Sequence, residues 1–199
     1  MSETETKELK VEDIKADVEA SFKCPVRKSL NYISGFLSGP MCGKCFPCSM
    51  GTYEARVRLQ RLVDGNGSEA DLATLKRIAS EMLEASMCKK GKDTAKFILD
   101  WMGTDVFMEH INGRCPEAEC PVFMLYDIIP GKCTMCDLCR EACKHNAILG
   151  EKRKPYQSNY QPFEIRQKRC DKCGECIKVC PEGAIIITVK AKKGEAVGV

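Results

Sequence analysis

The chain has 199 residues, a formal charge of +3 at pH 7, 15 cysteines and one tryptophan. Cysteine at this density points to thiol chemistry holding the fold together, through disulfides or through metal ligands. The charged start MSETETKELKVEDIKADVEA lacks the apolar stretch of a secretory signal, and no run reaches the length of a membrane span, so with an odd cysteine count a cytoplasmic metalloprotein is expected.

In chain order, residues 1–20 read as a charged leader, either disordered or a short docking helix. A helical iron–sulfur domain is expected over 21–112. Within it, MCGKCFPCSMG places Cys42, Cys45 and Cys48 at C-x2-C-x2-C spacing with no fourth thiol beside them. From Gly51 to about Ile111 the pattern is helical, with Leu72, Leu75, Ile78, Ala79, Met82 and Leu83 recurring at three- and four-residue steps. Ser68 followed by Asp71 resembles a capping box, and the GNG before it supplies a turn. A further helix is expected from near Asp93, burying Phe97, Ile98, Trp101 and Met102 and breaking at Gly103.

A [4Fe–4S] cluster takes four thiolates, so the motif at 42–48 needs a distant partner. Cys88, Cys115 and Cys120 are the candidates. Cys88 closes the amphipathic helix just before KKGKD, where a helical hairpin would return the chain to its start.

After NGRCPEAECP, near residue 120, the texture changes to short β-prone runs alternating with cysteine motifs. A zinc or hinge segment is expected over 113–126, a ferredoxin-like domain over 127–190 and a disordered tail over 191–199. Cys133, Cys136, Cys139 and Cys143 read C-x2-C-x2-C-x3-C, and so do Cys170, Cys173, Cys176 and Cys180, the last followed by Pro181. In this bacterial ferredoxin arrangement the fourth cysteine of each run ligates the other cluster. One set is then Cys133, Cys136, Cys139 and Cys180, and the other Cys170, Cys173, Cys176 and Cys143. The segments KHNAILGEK and PEGAIIITV repeat after each run, the sequence form of a βαββαβ fold in an α+β protein. Zinc ribbons use two C-x2-C pairs and do not match. The run GEKRKPYQSNYQPFEIRQKR between the halves reads as a solvated hairpin.

Cys24, Cys115 and Cys120 remain, with His110 five residues before Cys115. Three thiols and an imidazole match a closed structural zinc, in which His110, Cys115 and Cys120 form the local group and Cys24 the fourth ligand. The alternative is free buried cysteine acting as a small hydrophobe. Three clusters and such a zinc carry roughly −7, so the basic balance does not call for a nucleic-acid partner. No paired carboxylates suggest acid–base catalysis, and no helix-turn-helix is visible.

CGKCFPC with Cys88, forty residues beyond Cys48, resembles the C-terminal iron–sulfur domain of the NADH-binding flavoprotein subunits of respiratory complex I and of NAD(P)-reducing, electron-bifurcating hydrogenases. In the hydrogenase-type subunits, a segment like HINGRCPEAECPVFMLYDIIPGKC and a two-cluster ferredoxin domain follow, so the resemblance runs from about residue 20 to 190. It implies a [4Fe–4S] cluster on Cys42, Cys45, Cys48 and Cys88, beside a flavin in that family, and a metal at the hinge. Two departures stand out. The family's flavin and dinucleotide domains precede this region, and no G-x-G-x-x-G follows a strand here; Ser49 and Met50 replace the family's common Arg and Glu. The expectation is an electron-transfer subunit with three [4Fe–4S] clusters and a structural Zn2+, binding neither FMN nor NAD(P)H itself. Its setting would be an anaerobe's electron-bifurcating or NAD(P)-linked oxidoreductase. A flavin subunit, a hydrogenase or dehydrogenase subunit and soluble ferredoxin are the expected partners. The alternative, an iron–sulfur redox sensor or interaction module, would carry a signal- or DNA-binding element.

Overall fold

A computed structural model of the chain describes residues 10–154 and 161–189. The expected tail at 191–199 and the centre of the expected hairpin, 155–160, lie outside the described residues. The chain divides into two compact units, the first ending at Phe123 and the second starting at Met124. Among the described residues no helix is long and apolar enough to cross a membrane.

The first unit is helical. In α1 (Val11–Ser21) the stripe Val11, Ile14 and Val18 is buried against α2 (Pro25–Ser38), so the leader is a packed helix over these residues. Gly35 makes that approach possible, because a Cβ there would lie 2.9 Å from Ile14 Cγ2. Next, α3 (Phe46–Val63) buries Cys48, Thr52, Ala55, Leu59 and Leu62, one face of a helix. It packs on α4 (Glu69–Ala85), whose buried face carries Leu75, Ile78, Ala79 and Met82. The next helix, α5 (Lys89–Met102), starts four residues earlier than the expected Asp93 and buries Ala95, Phe97 and Ile98. A short α6 (Val106–Ile111) inserts Phe107 and His110 into the core. Each fully buried Leu, Ile or Phe here contributes roughly 1.5–3 kcal/mol. Tyr32 stacks on Phe97 with ring centroids 4.1 Å apart.

Residues Ser68 and Asp71 set the start of α4. Asp71 N–H donates to the Ser68 hydroxyl at 3.3 Å and Ser68 N–H to Asp71 Oδ2 at 3.0 Å, a reciprocal capping box. The buried Asp71 carboxylate also accepts from Arg58 Nη1 at 2.7 Å and from Arg61 Nε at 3.3 Å, tying α3 to α4. Burial by itself would raise its pKa, but hydrogen bonds from Arg58 and Ser68 bring it down to about 2. A depressed carboxylate stabilises the fold above its ordinary value of 3.8, and the contribution fades as pH falls towards 2.

In the second unit β1 (Met124–Ile128) is followed by α7 (Leu138–Glu141), β2 (Ile148–Leu149), β3 (Glu164–Ile165), α8 (Glu175–Val179) and β4 (Ile185–Val189). Strands β1 and β4 pair antiparallel, Met124 opposite Val189 and Ile128 opposite Ile185; β2 and β3 form a second antiparallel pair. Residues Pro121–Phe123 are a 3-10 turn, so the expected 113–126 segment straddles the boundary and its last three residues open β1. Met124, Tyr126, Ile148, Phe163, Ile165 and Ile185 pack around Cys139 and Cys176. The repeat seen in the sequence extends to the backbone. Positive φ at Met135, Asp137 and Asn146 recurs 37 positions later at Lys172, Gly174 and Gly183. At the position matching Gly174, Arg140 grips the Asp137 carboxylate with Nε–Oδ1 and Nη2–Oδ2 contacts of 2.6 and 2.5 Å.

Ser68→Ala should lower the unfolding free energy by about 1 kcal/mol. Asp71→Ala should cost more, about 1.5–3 kcal/mol, because it removes charge-assisted hydrogen bonds from both arginines. Anaerobic thermal unfolding followed by the helical circular-dichroism signal reads both, and equal melting temperatures for all three proteins would rule out the carboxylate as the link between α3 and α4.

Candidate metal centres

Cys45 is the N-cap of α3 and Cys88 the N-cap of α5, so two helices begin on thiol-bearing residues of the same group. The Cys45 thiol accepts from the backbone of Met87, the residue before Cys88, which lowers its pKa. Cys48, one turn into α3, is buried; burial, then the Cys45 thiol, with Cys88 also contributing, pushes it up to about 11. Cys42 and Cys88 are exposed. Gly91 in the first turn of α5 is packed against this group. A Cβ there would lie 3.1 Å from Cys48 Sγ and 2.9 Å from the Ser86 side chain. The hairpin that returns Cys88 is α4 and the turn after it, with Cys88 three residues past the helix end.

In the second unit the eight cysteines fall into two sets around two small cavities of equal size. Cys133, Cys136, Cys139 and Cys180 line one, and Cys170, Cys173, Cys176 and Cys143 the other. The fourth cysteine of each run is therefore beside the other run. The electrostatics follow the same division. Burial, then Cys133 and Cys136, with Cys180 also contributing, raises Cys139 to about 11. Burial, then Cys170 and Cys173, with Cys143 also contributing, raises Cys176 to about 11. Both fourth cysteines accept a backbone N–H from four residues on, Ala147 to Cys143 and Ala184 to Cys180, each at 3.3 Å. The cavities are apolar apart from their thiols, and a buried thiol resists ionisation unless positive charge accompanies it. A cationic iron–sulfur core is the partner this donor set suits.

A tighter group is made of Cys24, His110, Cys115 and Cys120, all buried, with ligand atoms within 4.8 Å of one another. His110 Nε2 lies 3.5 Å from Cys24 Sγ and 3.3 Å from Cys120 Sγ, and the two sulfurs are 4.0 Å apart. A tetrahedral zinc with bonds of about 2.0–2.3 Å has ligand–ligand edges of roughly 3.5–3.8 Å, close to these values and far from a disulfide's. The His110 Nδ1–H donates to Val106 O at 2.7 Å, which turns Nε2 towards the thiols. Burial would lower the His110 pKa, but the thiols of Cys115 and Cys24 raise it to about 10, so the group favours a cation at its centre. Glu119 fastens the distant Cys24. Its carboxylate accepts from Cys24 N at 2.8 Å and Lys23 N at 2.9 Å, and its carbonyl accepts from Arg27 Nη1 at 2.7 Å. The other histidine, His145, is half-exposed and pairs with Asp171 at 2.9 Å in the second unit.

Residues 28–112 match the NADH-ubiquinone oxidoreductase-F iron–sulfur binding region, and residues 132–184 match the 4Fe-4S dicluster domain. The chain joins these two iron–sulfur domains. Cys24, Cys115 and Cys120 fall outside both matched stretches. The chain is 34% identical over 124 residues to the NADP-reducing hydrogenase subunit HndC of Solidesulfovibrio fructosivorans, covering 61% of this chain and 25% of that protein. It is 36% identical over 66 residues to the NADP(+)-dependent formate dehydrogenase subunit beta of Moorella thermoacetica, covering 33% of this chain and 9% of that one. It is 34% identical over 96 residues to the F-type NADH-quinone oxidoreductase subunit of Streptomyces coelicolor, covering 47% of this chain and 21% of that one. The chain thus spans a quarter or less of these curated relatives.

Two residues that position the thiols of the helical unit were not singled out in the sequence: Gly91, visible there only as a helix-weakening glycine in KKGKD, and Glu119, visible only as an acid beside Cys120. Gly91→Val should drive a side chain into Cys48 Sγ and Ser86. The expected result is loss of about four irons per chain with the helical signal kept. Anaerobic iron analysis beside circular dichroism measures both, and full iron content in this variant would show that the contact is not critical.

Proposed function

We propose that this protein is an iron–sulfur electron-transfer subunit of a multisubunit oxidoreductase, passing single electrons between a flavin or catalytic partner and a ferredoxin or further subunit. The observation that carries the reading is the division of eight cysteines into two sets of four around two cavities of the second unit, with Cys45, Cys48 and Cys88 drawn together in the first. On this reading Cys42, Cys45, Cys48 and Cys88 hold one [4Fe–4S] cluster in the F-type region. Cys133, Cys136, Cys139 and Cys180 hold a second, and Cys170, Cys173, Cys176 and Cys143 a third, in a βαββαβ dicluster domain. Cys24, His110, Cys115 and Cys120 hold a structural zinc. Bound clusters supply reversible one-electron storage without bond chemistry.

The chain's own residues do the rest. Burial of Cys48, Cys139 and Cys176 keeps water from one side of each group. The N–H groups of Ala147 and Ala184 withdraw charge from Cys143 and Cys180, which favours the reduced state. At the zinc group the Val106 carbonyl and the Glu119 carboxylate hold His110 and Cys24 in place. The partners proposed are a flavin subunit and a hydrogenase or dehydrogenase subunit, in an NAD(P)-linked or bifurcating complex. The relatives' names, NADP-reducing hydrogenase and NADP(+)-dependent formate dehydrogenase subunits among them, support that setting.

Metal analysis of anaerobically purified protein should give about twelve irons and one zinc per chain. Eight irons would remove the cluster of the F-type region, and an iron-free protein would overturn the electron-transfer reading altogether. His110→Ala should lose zinc with iron retained; zinc retained in that variant would refute the ligand set.

A further inference from the structure

Buried serine and threonine side chains of the helical unit donate to the carbonyl one turn back, with one exception. Ser29 Oγ donates to Pro25 O at 3.0 Å, Thr52 Oγ1 to Cys48 O at 2.6 Å and Thr94 Oγ1 to Lys90 O at 2.9 Å. Ser86 is 3% exposed, and its hydroxyl oxygen, shut from solvent, is the only such hydroxyl among the described residues that lacks a hydrogen-bond partner. As the C-cap of α4, Ser86 donates its backbone N–H to Met82 O at 3.1 Å, so the helix end is served without the side chain. A buried donor left unpaired is costly unless an acceptor arrives with a bound group.

The space in front of this hydroxyl belongs to the first cysteine group. A Cβ on Gly91 would lie 2.9 Å from Ser86 Oγ and 3.1 Å from Cys48 Sγ, so the absent side chain of Gly91 leaves one gap that hydroxyl and sulfur share. Ser86 also opens the short segment that serves the group, since Met87 gives its backbone to the Cys45 thiol and Cys88 brings a thiol of its own. A protonated thiol is a weak acceptor, which leaves the hydroxyl idle. A metal-bound thiolate is a strong acceptor and cannot donate, so a hydroxyl facing it must be the donor. Packing alone would be met by alanine.

We propose that Ser86 is a positioning residue of this centre, donating its hydroxyl hydrogen bond to Cys48 Sγ once that sulfur is a metal-bound thiolate. The inference rests on the reading of Cys42, Cys45, Cys48 and Cys88 as holding a [4Fe–4S] cluster. The proton stays on Ser86 and no covalent bond changes. The hydrogen bond draws electron density from the sulfur, which favours the more negative, reduced state and raises the reduction potential of that centre. At the dicluster domain the matching donors to Cys143 and Cys180 are the backbone N–H groups of Ala147 and Ala184, which no side-chain substitution removes. Ser86 therefore acts on one centre of the three.

The test is redox potentiometry of the full, cluster-loaded chain read by electron paramagnetic resonance, with Cys42→Ala marking which reduced signal belongs to the first centre. Ser86→Ala should keep the parent's iron content and lower the potential of that signal alone. At the parent's midpoint its reduced-to-oxidised ratio should fall about tenfold, which is about 59 mV for a one-electron couple. Ser86→Thr keeps the hydroxyl and should restore the parent's potential. Electron–nuclear double resonance should show an exchangeable proton coupled to the signal in the parent and in Ser86→Thr, and not in Ser86→Ala. The hydrogen bond is overturned if Ser86→Ala, with its iron intact, holds the parent's potential, or if all three signals shift alike. Should Ser86→Ala shed about four irons, their retention in Ser86→Thr supports the hydroxyl, and their loss from both variants assigns Ser86 to packing and overturns it. A parent with about eight irons, and no signal for Cys42→Ala to remove, would instead sink the cluster reading itself.

Discussion

Cysteine stands at the N-cap of α2, α3 and α5, and none of the three thiols makes a side-chain cap hydrogen bond. Serine, aspartate or asparagine would ordinarily satisfy a first-turn N–H there. Giving that position to a thiol leaves a positive helix end facing the sulfur, which suits a thiolate or an anionic group built on it. Two such ends meet at Cys45 and Cys88, with Cys48 buried between them, so the α3–α4–α5 hairpin is organised around that junction. At α2 the protein solves the cap differently. Glu119 takes the N–H groups of Lys23 and Cys24, which frees the Cys24 thiol to turn towards His110.

One rule runs through all three cysteine runs. The third cysteine of each C-x2-C-x2-C, namely Cys48, Cys139 and Cys176, is buried, and each is pushed up to about 11 mainly by that burial. A polypeptide alone gains nothing from a buried thiol that resists ionisation beside other thiols. Metal binding offsets the desolvation cost and so couples cofactor affinity to folding. The positive-φ residues serve the same end, by curling the two loops of the dicluster domain so that consecutive thiols face inward. Where Gly174 meets this demand freely, Asp137 meets it as a non-glycine residue and is held by Arg140.

What the sequence disclosed divides by range. The three-thiol runs were legible because their spacing is local, and α4 was legible because its apolar period and its Ser68–Asp71 box lie within one element. The start of α5 was not. Lys89, Lys90, Gly91 and Lys92 look like a loop, and Gly91 is a poor helix former retained where Cys48 leaves no room for a side chain. Val11, Ile14 and Val18 were hidden among charges in what reads as a leader. Gathering Cys24 with His110, Cys115 and Cys120 depends on Glu119 reaching a residue 95 positions away, and no spacing rule encodes such a contact.

The distribution of exposure then separates structural from redox chemistry. Cys24, Cys115 and Cys120 are each 0% exposed, so a metal there is closed to solvent and to any partner, as a purely structural ion should be. Cys42 and Cys88 of the F-type region and Cys173 of the dicluster domain are open instead. A thiol whose only task is to hold a fold gains from burial, whereas a relay must bring its redox group close to a surface wherever an electron enters or leaves. Each iron–sulfur domain therefore keeps one side of its cysteine group deep and the other side shallow. The deep side sets stability and potential, and the shallow side determines which partner can approach.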